Sequence, residues 1–170
     1  MVRVLADPCS GRPRSAYSSP NRPWCGPVGM TREQIFDLFN RREAAWRARD
    51  AHQLASDHAP DGVVVSPTGG VLEGRAEIER IYRVWFVGFP DLAFTTEDLL
   101  VDGDRVALLC RFTGTHLGEF FGMAPTSRRI ELAGAFIYRL QDGLIVHERR
   151  ILDFTGVLIQ VGVLRAKPAG

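Results

Sequence analysis

Lysine is nearly missing from this 170-residue chain: of 21 basic side chains all but Lys167 are arginine. Schiff-base chemistry therefore has almost no candidate. Cysteine is scarce too, and Cys9, Cys25 and Cys110 form neither a CxxC pair nor an even disulfide framework. That fits a reducing compartment, with the cytoplasm as the simplest address. Neither sign of charge dominates, since 21 basic against 20 acidic residues leave a formal net charge of +1. No overall field draws the protein to nucleic acid or to an anionic membrane. No apolar run approaches the roughly 18 residues of a membrane span, and the N-terminus lacks the apolar region of a signal peptide. The GxSxG, P-loop, GxGxxG and HExxH motifs are absent, and His52 and His58 stand too isolated to argue a metal. No metal site or common nucleotide-binding motif is offered, and the scattered arginines read as a solvated surface rather than an RNA platform.

What is present is the composition of one compact domain, 45% hydrophobic and 24% charged. Residues 1–29 hold five of the 10 prolines and two of the three cysteines and read as a disordered extension. The folded domain is expected over residues 30–165, with 166–170 as a short tail and Met30 as a candidate initiator. Thr31-Arg32-Glu33-Gln34 supplies a capping box at a helix start. Ile35, Leu38, Phe39, Ala45 and Trp46 then recur at three-and-four spacing, the mark of an amphipathic helix to about Arg49. A helical turn over His52–Ser56 and a strand over Val63–Ser66 follow. Ile78, Ile81, Tyr82 and Trp85 define a second long helix, stopped by Gly88 and Pro90.

Beyond Leu92 the period changes to two. Leu92–Val101 and Arg105–His116 flank Asp102-Gly103, and Ile130–Gln141 and Leu144–Phe154 flank Asp142-Gly143, so both pairs read as antiparallel hairpins. Helices first and a strand meander after them indicate an α+β domain, with helices on one face of a curved sheet. The second turn decides what surrounds Asp153. A two-residue turn, which Asp-Gly favours, pairs Gln141 with Leu144 and puts Asp153 opposite Leu132, on one face with Phe136, Tyr138, His147, Arg149 and Ile151. A three-residue turn sets Asp153 against Glu131. In either register Asp153 is a candidate general acid/base, with an ion pair to Arg149 as the competing role.

Gly114-Thr115-His116-Leu117-Gly118-Glu119-Phe120-Phe121-Gly122, followed by Pro125-Thr126, resembles the GTHxGxFxG...PT segment of SnoaL-like polyketide cyclases. Tyr138-Arg139-x-x-Asp142-Gly143, Asp153-x-x-Gly156 and Gln160-x-Gly162 resemble that family's closing hairpin and tail. The resemblance covers about Met30 to Leu164. It implies the cone-shaped α+β fold of the nuclear transport factor 2 superfamily. It also implies an intramolecular aldol closure without cofactor, with Asp153 at the acid/base position. His147 and Arg149 stand where many members have an acidic residue and a tryptophan. His116 is a second catalytic candidate. Trp85, Phe120, Met123 and Tyr138 are candidate substrate walls, and Arg111 and Arg149 candidate polar contacts. The expected ligand is a small hydrophobic carbonyl-containing metabolite. A binding protein without turnover and an epoxide hydrolase-like relative are the rival functions. Outward apolar residues such as Val146 and Leu152 point to a homodimer.

Overall fold

The computed structural model describes residues 29–165. The expected disorder of residues 1–29 and the tail 166–170 lie, but for Gly29, outside the described residues. Helix α1 (Arg32–Ala48) begins as its capping box requires: Thr31 Oγ1 accepts from Gln34 N at 3.2 Å, and Gln34 Oε1 accepts from Thr31 N at 2.9 Å. Arg49, in left-handed backbone with φ 55°, ends it. Short α2 (Ala51–Ser56) is capped by Asp50 and leads into β1 (His58–Ser66), which starts earlier than its β-branched run. A hairpin adds β2 (Gly70–Glu73), and α3 (Gly74–Gly88) follows. Then come β3 (Ala93–Asp102), β4 (Arg105–Thr115), β5 (Arg129–Gln141), β6 (Leu144–Leu152) and α4 (Phe154–Gln160). The sequence reading misses β2 and α4.

The sheet order is β2-β1-β6-β5-β4-β3, with β2 and β3 as free edges, so it curves without closing. Every pairing is antiparallel except β1 with β6. That parallel pair joins the two ends of the domain. On the inner face, Val106, Leu108, Cys110 and Phe112 of β4 and Ile130, Leu132, Phe136, Tyr138 and Leu140 of β5 are buried. The apolar stripes of α1 and α3 pack on them, and each fully buried aromatic or aliphatic side chain contributes about 1.5–3 kcal/mol. Trp46 stacks on Phe94 at 4.8 Å and meets Tyr82 and Phe112 edge-on, so rings occupy the space between helices and sheet.

One residue changes the expected register. The turn has two residues, with positive φ at both Asp142 and Gly143, and Gln141 pairs with Leu144. The ladder then shifts: Leu140 pairs with Ile145, but Arg139 pairs with His147. Val146 is the extra residue of a β-bulge, and a one-residue slip inverts every side chain after it. Glu148, opposite Tyr138, and Arg150, opposite Phe136, therefore face inward and are buried. Arg149 and Ile151 face outward and are exposed. The outward placement expected for Leu152 is corrected likewise, since it packs against the core.

Candidate functional site

Glu148 and Arg150 bring charge into an otherwise apolar interior. Glu148 is 0% exposed. Its Oε2 accepts from His58 Nε2 at 2.9 Å and lies 3.7 Å from Arg42 Nη2, while its Oε1 accepts from Arg150 Nε. Arg42 falls on the apolar stripe of α1 and is held there by three acceptors. It donates to Leu54 O at 2.9 Å and to Tyr82 Oη at 3.0 Å, and it pairs with Asp57 at 3.5 Å. Arg41, half exposed, reaches the same Asp57 from the surface at 2.9 Å. Inside, two arginines stand against two carboxylates. The buried set is neutral when His58 is neutral, which avoids the cost of an unpaired buried ion.

Burial alone would raise the Glu148 carboxyl, yet the Arg150 charge, the His58 hydrogen bond and Arg42 prevail and hold it well below the usual carboxylate range. Burial lowers His58 below an ordinary imidazole, with Arg42 and Arg150 adding to that against Glu148. Burial likewise pushes the Tyr138 and Tyr82 hydroxyls up, so both remain neutral phenols. One polar atom of the cluster is left over: Arg150 Nη2 is buried without a hydrogen-bond partner. Its guanidinium lies 4.6 Å from the Tyr82 ring centroid and 5.4 Å from that of Phe136. An N–H donor and a carboxylate side by side can hold a carbonyl oxygen and accept a proton from the adjacent carbon.

The residues singled out from the sequence fall into three places. Tyr138 is buried beside the cluster, with Arg42 5.7 Å from its ring centroid. His116, Trp85, Phe120 and Met123 gather at the other end of the core. His116 is 0% exposed, with Nδ1 3.1 Å from Thr126 Oγ1 and Nε2 unpartnered, and its ring tilts on Phe89. Trp85 stacks on Phe89 and meets Phe120 edge-on. Phe120 is packed under Gly88, where a Cβ would meet it at 2.8 Å. Arg111, a candidate polar contact for a ligand, is paired with two carboxylates instead: at 45% exposure it lies on the outer face between Glu97 and Glu131, because alternation sends Cys110 and Phe112 inward. Arg149 is exposed for the reason of the bulge.

Asp153 departs furthest from expectation. It is exposed, and it caps α4, its Oδ1 accepting from Gly156 N at 2.8 Å. The interior surroundings expected for it belong to Glu148. The Asp153-x-x-Gly156 spacing puts the Gly156 N–H at the third helical position, where an N-cap carboxylate reaches it. Glu148, Arg150, Arg42, Asp57 and His58 are the interior residues the sequence reading missed. Arg42, at the core-facing spacing of α1, was the one legible hint. Cys110 is buried and its thiol is pushed up to about 12, chiefly by burial, which leaves it unreactive. Among the described residues no three His, Cys, Asp or Glu side chains converge as a metal cage, and no helix is long and apolar enough to cross a membrane.

Among the described residues, packed rings such as Trp46, Trp85, Phe112 and Phe136 occupy the interior between helices and sheet. Two grooves of about 430 and 350 Å³ lie outside it, one at Leu38, Arg41 and Gly143, the other along Leu100, Ala107 and Ile137. A ligand reaching Glu148 has to displace side chains.

Comparison with known proteins places this architecture. AclR from Streptomyces galilaeus, a candidate hydroxylase, is 28% identical with a TM-score of 0.70, over 80% of this chain and 85% of that one. IdmH from Streptomyces antibioticus, a candidate polyketide cyclase, is 31% identical with a TM-score of 0.65, over 76% of this chain and 99% of that one. A Catenulispora acidiphila protein with a ketosteroid isomerase-like fold is 19% identical with a TM-score of 0.65, over 78% of this chain and 98% of that one, a likeness of fold alone. No curated protein matches. The profile of the SnoaL-like polyketide cyclases matches residues 37–161, which include most of α1, all of α3, the whole sheet and the interior cluster, and the chain belongs to that family.

Proposed function

We propose that this protein is a cofactor-free cyclase that closes a ring within a polyketide-type ester or a similar small hydrophobic carbonyl compound. The observation that carries this reading is the unpartnered Arg150 Nη2 beside the Glu148 carboxylate, inside a wall of aromatic rings. A hydrogen between two carbonyls is acidic because the enolate delocalises, and a guanidinium at the enolate oxygen lowers its pKa further. A carboxylate that its neighbours make a weak base suffices for such a carbon acid. Glu148 takes the proton, Arg150 Nη2 donates to the enolate oxygen, and the enolate carbon attacks a second carbonyl of the same molecule. The new alkoxide takes the proton back from Glu148. The product is an isomer of the substrate, and most of the barrier reduction comes from holding the chain in attacking geometry.

The family resemblance instead gives the proton to Asp153, and His116, the second candidate, would hydrogen-bond a substrate carbonyl or hold Asp153. Asp153 lies one residue before Phe154, whose ring is 6.2 Å from that of Phe120, at the His116 end of the core. Exposure and the helix cap weigh against it, and we assign the base to Glu148. A second copy of the chain is the proposed partner: Leu109, Ile137 and Ile151 are exposed on adjoining outer positions of β4, β5 and β6.

The test is a screen of diketo and triketo esters for a product of unchanged mass and new retention, together with deuterium exchange at the inter-carbonyl carbon. Cyclised product from the wild type supports the assignment. Ligand-induced thermal stabilisation without turnover favours a binding protein, and release of diol from epoxides favours the hydrolase-like alternative.

A further inference from the structure

His58 is placed between two groups that only accept. Its Nε2 is 2.9 Å from Glu148 Oε2 and its Nδ1 is 3.0 Å from the Leu54 carbonyl oxygen, and the ring is 0% exposed. A neutral imidazole carries one N–H, so it satisfies one of these contacts and turns a lone pair on the other. Only an imidazolium makes both. The Leu54 oxygen has a second donor, Arg42 Nη1 at 2.9 Å, whereas Glu148 is a charged acceptor whose bond to His58 is the stronger one.

We propose that His58 is a positioning residue that exchanges one proton and thereby sets the basicity of Glu148. Doubly protonated, it bridges Leu54 and Glu148; neutral, it keeps the Nε2–H bond to Glu148 and releases Leu54 to Arg42. The charges that act on the ring are Glu148 and Arg150 from β6 and Arg42 from α1; behind them stand Asp57 at the end of α2 and Tyr82 from α3, both on Arg42, and Tyr138 from β5, beside Glu148 and Arg42, while Arg75 from α3 reaches the backbone of His58. Arg75 Nε donates to the His58 carbonyl oxygen at 2.8 Å and so fixes the backbone rather than the ring. With Arg42 and Arg150 offset by Asp57 and Glu148, the proton on His58 gives the cluster a net positive charge. In that state Glu148 is at its least basic, and losing the proton restores it.

This inference rests on Glu148 as the base, and the experiment separates the two. In the full-length protein labelled with 15N-histidine, the His58 ring is expected to show two protonated nitrogens at the acid end of a titration from about pH 4 to 8, and a lone Nε2–H at the other. A ring that keeps one state throughout, or a neutral ring protonated at Nδ1, overturns the inference while leaving the base assignment intact. In turnover, the wild type should lose rate several-fold as pH falls through the His58 midpoint, because the charge gained by His58 weakens the base. His58→Gln, which keeps a donor and cannot titrate, should lose that acid limb; an unchanged limb in the folded variant overturns the inference. Full turnover in Glu148→Gln overturns the base assignment and leaves the ring titration to decide the rest.

Discussion

Glu148 and Asp153 stand on the same closing segment of the chain and have opposite surroundings. Glu148, on the inner face of β6, is shut away from water among His58, Arg42 and Arg150. Asp153, just past the strand end, faces solvent and spends an oxygen on the first turn of α4. The same functional group is a buried anion in one place and a helix cap in the other. What separates them is the single unpaired residue Val146, which decides which of the strand's polar side chains the interior receives.

The strongest way to break this contrast is to take away the buried anion. Glu148→Leu leaves Arg42 and Arg150 inside without the carboxylate that they share. Destabilisation of about 4 kcal/mol or more is expected in urea melts, or failure to fold, whereas deleting the unpaired Val146 keeps Glu148 opposite Tyr138 and should cost less. Replacing Arg150 by leucine leaves Glu148 with His58 and Arg42. Its cost in stability should be about 3 kcal/mol, since Glu148 loses a buried counter-charge and the shorter side chain leaves space between Tyr82 and Phe136. The initial rate with a cyclisable substrate should still fall by roughly 100-fold with the enolate donor gone.

Acid sharpens the comparison more gently. His58 has a folded pKa below its ordinary 6.5 and Glu148 one below its ordinary 4.5, so in both the unfolded chain holds the proton more tightly. Their stabilising contributions are present above those ordinary values and are lost as pH falls toward the lowered ones. The melting temperature should therefore drop in two stages, first below about 6.5 and again below about 4.5, and Glu148→Gln should remove the second stage. The smallest effect belongs to Asp153→Ala. It removes one capping bond on an exposed helix and should cost about 1 kcal/mol by thermal melting, with turnover unchanged.

Much of the fold was legible in the sequence. The Thr31 capping box, the stripes of α1 and α3 and the two Asp-Gly turns each carry a local rule that the structure obeys. The parallel pairing of β1 with β6 was not legible, because it joins segments from opposite ends of the domain and leaves no local pattern. The bulge escaped for a different reason. His147-Glu148-Arg149-Arg150 is polar on both faces, so sliding it by one residue changes no hydrophobic count, and periodicity is blind to which pair goes inside. Arg42 carried information that periodicity alone undervalues: a charge at a core position needs a buried counter-charge, and that partner proved to be Asp57 and Glu148.

The central claim is that the working carboxylate is the buried one, and single-turnover rates of Glu148→Gln and Asp153→Asn, each checked for a folded near-ultraviolet spectrum, test it most directly. The account predicts a loss of about 100-fold or more in Glu148→Gln, the range for removing a general base, and a wild-type rate in Asp153→Asn. The reverse pattern, with Asp153→Asn inactive and Glu148→Gln unimpaired, would contradict it.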